Sequence, residues 1–356
     1  MLQIKKKKTL IVSLGYEGGC LYYANSIIRN LSKSFSYNLI VSSSSEDIPK
    51  EATLKLPLYK GMLGQLLFLS ISPLVFFYIL FCAYFKYDKL VVFGPNNFDS
   101  LFLCVFKILK KDSYLVIHDG IMHAGEKDRY HQKLLNLSMK YASNHIFLTN
   151  YVALNVQTIL HIVRPYFILP HGPIIYGEPK EAHLGNELRL LVIGRLSPYK
   201  GLHIIKDIVP KLSSYNCKLT IAGSMSSESR SLFESDENVN IVNHYLTEQE
   251  INDYINNNDV ILMPYTEATQ SGIAAISIGY CKPAIITKVG GLPEQLSCDE
   301  AFYMENVNAE SLEEQIKLLK SDNTIYYHKT NKLSQKRQQL SWKKIAEEFE
   351  LNLANH

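Results

Sequence analysis

The stretch "LRLLVIGRLSPYKGLHIIKDI", Leu188 to Ile208, is an apolar run that stops at Gly194 and passes at once to Arg195. Lys200 and Gly201 follow five and six positions after Arg195, and a second apolar-periodic segment then begins. Arginine offers a planar fork of donors and lysine a compact point charge, so this pair suits an anion with more than one charged group. A second stretch, "TQSG" from Thr269 to Gly272, precedes an apolar segment and predicts the start of a helix. Free backbone N–H groups at such a start can meet an anion or a hydroxyl. Thr269 and Ser271 add short donors there, and Gly272 permits close approach. A third, "YLVIHDGIMHAGEKDRYHQ", ends a strand at His118 and Asp119, with His123, Glu126 and Lys127 in the loop beyond. The His118 imidazole can hydrogen-bond a hydroxyl and tune nearby charge, and Asp119 can orient it or cap the next helix. His118, Asp119, His123 and His131 are zinc-ligand types, but their spacing fits no metal signature, and no metal is expected. Finally, "GYEGGCLYYANSI" places Gly15, Gly18 and Gly19 in the first strand-to-helix loop. Gly18 and Gly19 either let the backbone approach a ligand or simply make a tight turn, and Glu17 is the nearest carboxylate. The G-x-G-x-x-G spacing is missing, which disfavours a nicotinamide site.

These residues need strands to carry them. Short apolar runs alternate with helical periodicity throughout: "KTLIVSL", "YNLIVSSS", "DKLVVFGP", "SYLVIHDG", "NHIFLTN" and "PYFILPHG", then "LRLLVIG", "CKLTIAG", "VNIVNH", "DVILMPY" and "PAIITKV". Unbroken apolar strands in βαβα alternation imply a parallel sheet with helices on both faces. At 356 residues the chain suits two domains rather than one core. The expected division is 1–170, a Pro/Gly-rich linker at 171–187, and 188–340, with an amphipathic C-terminal helix at 341–356 packing back on the first domain. The expected class is therefore α/β: two Rossmann-like, doubly wound parallel-sheet domains facing a central cleft. Open parallel sheets bind ligands beyond the carboxyl ends of their strands, where every motif above falls.

Hydrophobic residues make up 47% and charged residues 20%, a folded globular balance. A formal net charge of +3 gives no general affinity for nucleic acid, and none is expected as a partner. Six cysteines without a C-x-x-C pair argue for a reducing compartment. The opening "MLQIKKKKTLIVSL" is too short in apolar length for a secretion signal and reads as a strand behind a lysine cluster. From Gly61 to Phe85, "GMLGQLLFLSISPLVFFYILFCAYF" holds no charged residue. Pro73 breaks this run, Ser70 and Ser72 dilute it, and a strand follows directly. The expectation is a buried or interface-lying helix rather than a membrane span.

With these residues in view, the chain resembles the glycosyltransferase family 4 enzymes of GT-B fold. "VIGRLSPYKGLHII" looks like that family's "GRL…KG" signature. "ILMPYTEATQSGIAAISIGYCKPAIITKVGGLPEQL" is similar to its "P-x-x-E-G-F-G…E-A…G-x-P-V-I-A-x-x-x-G-G-x-P-E" region, with Pro264, Gly279, Pro283, Gly290, Gly291, Pro293 and Glu294 in matching places. The resemblance implies that Arg195 and Lys200 contact a donor diphosphate and that His118 faces the donor sugar. It implies a grip on phosphate and sugar by Thr269, Gln270, Ser271 and Gly272, with Glu294 alongside. It further places Asn243 to Tyr245 and Leu246 around the nucleobase, and Gly18 and Gly19 near the acceptor. The family's two glutamates fall near Ala268 and Ile276, neither acidic; Glu267 stands one place from the first, and the second, which holds the ribose, has no substitute.

The function so implied is a retaining, hexosyltransferase-type glycosyltransferase. It would move a sugar from a nucleoside diphosphate sugar to a hydroxyl of a glycan or polyprenyl-linked acceptor, in cell-surface polysaccharide synthesis. Family precedent allows metal-independent chemistry, so no cofactor is expected beyond the donor substrate itself. Catalytic roles fall to His118, Arg195 and Lys200. Substrate contacts fall to Gly18, Gly19, Asp119, Asn243, Tyr245, Glu267, Thr269, Gln270, Ser271, Gly272 and Glu294. Two other readings share the architecture: a sugar-nucleotide 2-epimerase, with Asp119 and Glu126 as its acid and base, and a non-catalytic partner subunit. The apolar segment and lysine-rich start suggest a cytoplasmic protein resting on the inner face of the membrane.

Overall fold

The computed structural model describes residues 8–59, 61–121, 129–233 and 237–355. They form two compact units: one contains the chain up to Pro170 together with the segment from Trp342 onward, the other His171–Ser341.

In the first unit the order is β1 (Lys8–Ser13), α1 (Gly18–Asn30), β2 (Tyr37–Ser42), β3 (Ala52–Leu56), α2 (Met62–Lys86), β4 (Tyr87–Phe93), α3 (Asp99–Ile108), β5 (Asp112–Ile117), α4 (Arg129–Tyr141), β6 (Asn144–Phe147), α5 (Asn150–Thr158) and β7 (Tyr166–Ile168). The sheet order is β3-β2-β1-β4-β5-β6-β7, and its pairings are parallel. Ile11 sits opposite Leu39 on one side and Val91 on the other. Leu10, Ile11, Val12, Leu90, Val91 and Val92 are all buried, as strands covered on both faces require. Helix α1 buries Leu21, Ala24, Ile27 and Ile28, the spacing of one helical face.

The run at 61–85 is one helix, α2, and Pro73 lies inside it. Pro73 interrupts the apolar run without ending the helix. Proline cannot donate to the carbonyl four residues back, and here the Ser72 hydroxyl donates to that carbonyl, Leu69 O, at 2.8 Å. Phe68, Ile79, Cys82 and Ala83 face the core, while the opposite face is exposed, so the fully buried alternative is excluded.

The second unit runs β8 (Leu188–Ile193), α6 (Leu202–Ile208), β9 (Cys217–Ala222), α7 (Ser227–Ser231), β10 (Val239–Val242), α8 (Glu248–Asn257), β11 (Val260–Met263), α9 (Gly272–Tyr280), β12 (Ala284–Thr287), α10 (Leu292–Gln295), β13 (Phe302–Met304), α11 (Ala309–Ser321) and α12 (Asn323–Gln339). Its parallel sheet has the order β10-β9-β8-β11-β12-β13. Thr247 caps α8 reciprocally with Glu250, as the "TEQE" spacing indicates. The segment 171–187, read from sequence as a linker, is docked on this unit. Ile174 donates to Ala275 O at 3.1 Å, Tyr176 to Tyr280 Oη at 3.1 Å, and Lys180 to Asn256 Oδ1 at 2.8 Å. Gly279 makes room for it, since a Cβ there would stand 2.1 Å from Ile174 O.

Helix α13 (Trp342–Asn355) belongs to the first unit. Its Ile345, Ala346, Phe349 and Leu353 are buried, and Trp342 lies edge-on to Tyr23 at 5.7 Å between ring centroids. Glu350 accepts from both the amide and the hydroxyl of Ser32.

After β4, the loop at Gly94–Phe98 leads into α3 with Asp99 in its first turn. Asp99 is fully buried and Oδ2 accepts the Asn96 amide at 2.7 Å, while Oδ1 has no hydrogen-bond partner among the described residues. Burial pushes this carboxyl up to about 8, against the lowering effect of the Asn96 amide. Folded protein thus keeps a proton that the unfolded chain, titrating near 3.8, has released. The cost is absent below that value, grows as pH rises, and is complete above about 8. Asp99→Asn is therefore expected to raise the melting temperature at pH 8 and to leave it unchanged near pH 4. Thermal melts of the two proteins across that range check the sign.

Candidate functional site

In each sheet the strand order reverses beside the first strand of the unit, between β1 and β4 and between β8 and β11. Such a reversal opens a crevice beyond the carboxyl ends of the two strands. In the second unit the loop after β8 carries Gly194–Gly201 and the loop after β11 carries Pro264–Ser271. Both halves of the anion motif therefore meet at one reversal point.

The two loops are built into each other. Gly201 has φ +75°, and a Cβ on it would stand 1.9 Å from Pro264 O. Thr266 N donates to Tyr199 O at 2.9 Å, and Thr287 Oγ1 donates to Tyr265 O at 2.6 Å. Farther along, Gly291 N donates to Ala268 O at 3.1 Å. Gln295 then grips Ser271 at both ends, accepting its amide at 2.6 Å and donating to its carbonyl at 3.2 Å. The backbone from Pro264 to Ser271 is thus held by β12, α10 and the β8 loop before any ligand arrives.

Within this frame Lys200 is 8% exposed, and its Nζ donates to Tyr265 Oη at 2.7 Å. The same ammonium lies 4.1 Å from the Tyr265 ring centroid and 5.5 Å from that of Tyr199. A lysine so desolvated is held by dipoles and ring faces, and a nearby anion would lower its energy further. Burial raises the Tyr265 phenol pKa, with Ser271 acting in the opposite direction, so the phenol stays neutral and accepts from the lysine. Ser271 Oγ sits beside this phenol, buried and, among the described residues, without a hydrogen bond of ordinary geometry. As N-cap of α9 it makes no side-chain cap, which leaves the first-turn amides of Gly272 to Ala274 to an incoming acceptor atom.

The remaining predicted residues divide between the units. Arg195 is exposed, one residue beyond Gly194, whose φ is +104°. Thr269 is buried, Glu267 and Gln270 are half-buried in the same loop, and Glu294 is exposed on α10. Ala268 and Ile276, where the family has glutamates, are both buried. Asn243 spends its Oδ1 on the Met225 amide at 2.9 Å, and Tyr245 is exposed. In the first unit, His118 follows β5 directly, is 2% exposed, and stands edge-on to Tyr23 at 5.0 Å. Asp119 lies close enough to Cys20 to add to the burial that pushes this thiol up to about 12. Gly18 opens α1 at φ +81°, and a Cβ on Gly18 or Gly19 would meet nothing within 4 Å among the described residues. His123, Glu126 and Lys127 lie outside the described residues. Among the described residues, no three His, Cys, Asp or Glu side chains gather so as to hold a metal.

Tyr265 and Gln295 were not singled out by sequence. Tyr265 is legible only as the residue after Pro264; its pairing with Lys200 spans 65 residues and belongs to the sheet order.

Two parallel doubly wound units of this topology have the GT-B fold. Residues 178–339 match the family described as glycosyl transferases group 1. Sucrose-phosphate synthase from Thermosynechococcus elongatus is similar over 98% of this chain and 99% of its own, at 13% identity and a TM-score of 0.73. HepE from Anabaena, solved with UDP-glucose, is similar over 98% and 100%, at 15% identity and 0.71. The catalytic domain of starch synthase IV from Arabidopsis thaliana, bound to ADP and acarbose, covers 97% and 98% at 11% identity and 0.72. No curated protein matches the chain.

The packing at Gly201 gives a direct test. Gly201→Ala combines a left-handed backbone, which costs an alanine ~1–2 kcal/mol, with a clash against Pro264 O. It is expected to destabilise the protein by at least that amount in denaturant titration.

Proposed function

We propose that the protein is a retaining glycosyltransferase using a nucleoside diphosphate sugar, with a hydroxyl of a glycan or lipid-linked acceptor as the receiving group. The observation that carries this reading is the buried Lys200 ammonium on the Tyr265 phenol, beside the uncapped start of α9. HepE and starch synthase IV were solved with nucleoside diphosphates of different bases, which supports the donor class and leaves the base open.

In this reading the bond from the anomeric carbon to the diphosphate oxygen breaks, and the acceptor oxygen bonds to the same carbon from the same face. The acceptor's proton passes to the departing phosphate. Negative charge grows on the diphosphate as the bond loosens. Lys200, Arg195 and the α9 amides stabilise it, a role in which fixed donors act more strongly than water. Ser271, Thr269 and Gln270 hold phosphate or sugar oxygens, and Glu267 receives a sugar hydroxyl. Glu294 serves the donor as well. The nucleobase rests on the stretch from Asn243 to Tyr245. On the first unit, His118 and Asp119 bind hydroxyls, and the open backbone at Gly18 and Gly19 admits the acceptor. Two fixed cations do the neutralising for which other transferases recruit a divalent ion, so turnover is expected to survive a chelator. Cell-surface polysaccharide synthesis is the setting this chemistry suits, with the enzyme in the cytoplasm.

Acceptor-dependent release of nucleoside diphosphate from a panel of nucleotide sugars tests the proposal. Arg195→Ala and Lys200→Ala are each expected to lower turnover by ~10²–10³-fold. Both should weaken the thermal stabilisation given by the donor, with the ligand-free melting temperature measured alongside to register any loss of fold. Sugar epimerisation without acceptor, or unchanged turnover in the double variant, would overturn it.

A further inference from the structure

Helix α2 carries an apolar surface that the fold does not use. Gly64–Lys86 is long and apolar enough to cross a membrane, the one such helix among the described residues, and only 22% of its apolar window is buried. The inner stripe, Phe68, Ile79, Cys82 and Ala83, packs in the core of the first unit. The outer stripe, Leu66, Leu69, Leu74, Phe77, Phe81 and Phe85, is exposed, with Leu74 at 74% and Phe77 at 65%. Their spacings of three, five, three, four and four residues keep them on one side of a helix about 37 Å long, at ~1.5 Å per residue over its 25 residues.

We infer that this face lies in one leaflet of a bilayer rich in anionic lipid, with α2 parallel to the membrane plane. Three observations point to lipid rather than to a protein partner. First, both serine hydroxyls of the helix are satisfied by its own carbonyls. Ser70 Oγ donates to Leu67 O at 2.7 Å, and Ser72 Oγ closes the gap left by Pro73. Lys111 Nζ donates to Ala83 O and Tyr87 O, both at 2.6 Å, and so covers the helix's end. Hydrocarbon requires such internal satisfaction. A protein interface would instead carry about one hydrogen bond per 100–200 Å², and no charged side chain stands on this face between Gly61 and Phe85.

Second, cations gather where the helix ends. Lys86 and Lys8 are exposed, and Lys8 pairs in register with Tyr87, the residue that follows α2. Among the described residues they line a cavity of about 630 Å³ with Tyr78, Tyr84, Phe85 and Lys111, with Asp88 as the one acidic member. Lysines 5 to 7 precede Lys8 in the sequence. Aromatic rings beside lysines suit the headgroup boundary of an anionic leaflet.

Third, the geometry excludes a span. Lys86 passes without a loop into Tyr87, the first residue of β4, and β4 pairs with β1 and β5 inside the sheet. A helix with one stripe in the core and its end fused to a central strand can only lie on the surface it contacts.

Flotation of the full chain with vesicles tests this. Binding is expected to phosphatidylcholine–phosphatidylglycerol vesicles, and more weakly to phosphatidylcholine alone. Replacing three outward residues together (Leu74→Glu, Phe77→Glu and Phe81→Glu) should lower partition to both by more than ~10-fold while the melting temperature holds. Lys8→Gln with Lys86→Gln should lower binding only to the anionic vesicles, by about fivefold per lysine removed. A Phe77→Trp probe should be quenched by lipids brominated in the acyl chain, and alkaline carbonate should strip the protein from the vesicles. The inference fails if the native chain does not float, or if the triple variant floats equally well. It fails too if carbonate leaves the protein in the membrane, which would mean a span. A native dimer that the triple variant converts to monomer would reassign the face to a second copy of the chain. None of these readouts depends on the donor chemistry.

Discussion

The interaction on which the second unit's site depends is a buried lysine ammonium held on a tyrosine. Lys200 reaches the Tyr265 phenol only because β8 and β11 are neighbours, and they are neighbours only because the strand order reverses between them. Gly201 allows the two loops to come into contact, and Thr287, Gly291 and Gln295 then hold the β11 loop from its other side. Charge, ring faces and helix amides are thereby brought to one place by strand order and the contacts that hold the β11 loop. A ligand that supplies negative charge there meets groups whose desolvation has already been paid for by folding.

The first unit is organised differently. There the imidazole that follows β5 is packed against a ring. His118 stands edge-on to Tyr23, Tyr23 donates to Leu169 O at 3.0 Å, and Trp342 closes the far side of the tyrosine. The imidazole is thus fixed by aromatic packing drawn from α1 and α13, two elements more than 300 residues apart in sequence. This is a rigid setting for a group proposed to bind hydroxyls.

Sequence carried the architecture well, because buried parallel strands write themselves as unbroken apolar runs. "KTLIVS" and "LRLLVI" are β1 and β8 as read. Short or half-exposed strands write weaker signals: β3, "ATLKL", and the three-residue β13, "FYM", were not recognised. How Pro73 is accommodated was not legible, because it depends on Ser72 serving the orphaned carbonyl through a rotamer invisible in sequence. The segment at 171–187 read as a linker because its docking uses backbone groups and the space over Gly279, which leave no periodicity. Motifs within one loop, such as "TQSG", were legible; Tyr265 on Lys200 and Gln295 on Ser271 were not, since those pairs form only once strands are ordered.

The position of α13 has a consequence for how the molecule is made. Its buried Phe349 lies beside Phe93 of β4, and Trp342 lies against Tyr22 and Tyr23, in a unit whose strands leave the ribosome first; yet the helix itself is translated after the whole of the second unit. Until then the outer side of α1 around Tyr22 and Tyr23, and Phe35 beside it, wait without their cover. The amino-terminal unit is therefore the earlier to begin and the later to finish, and the nascent chain must carry a half-closed hydrophobic layer through most of its synthesis.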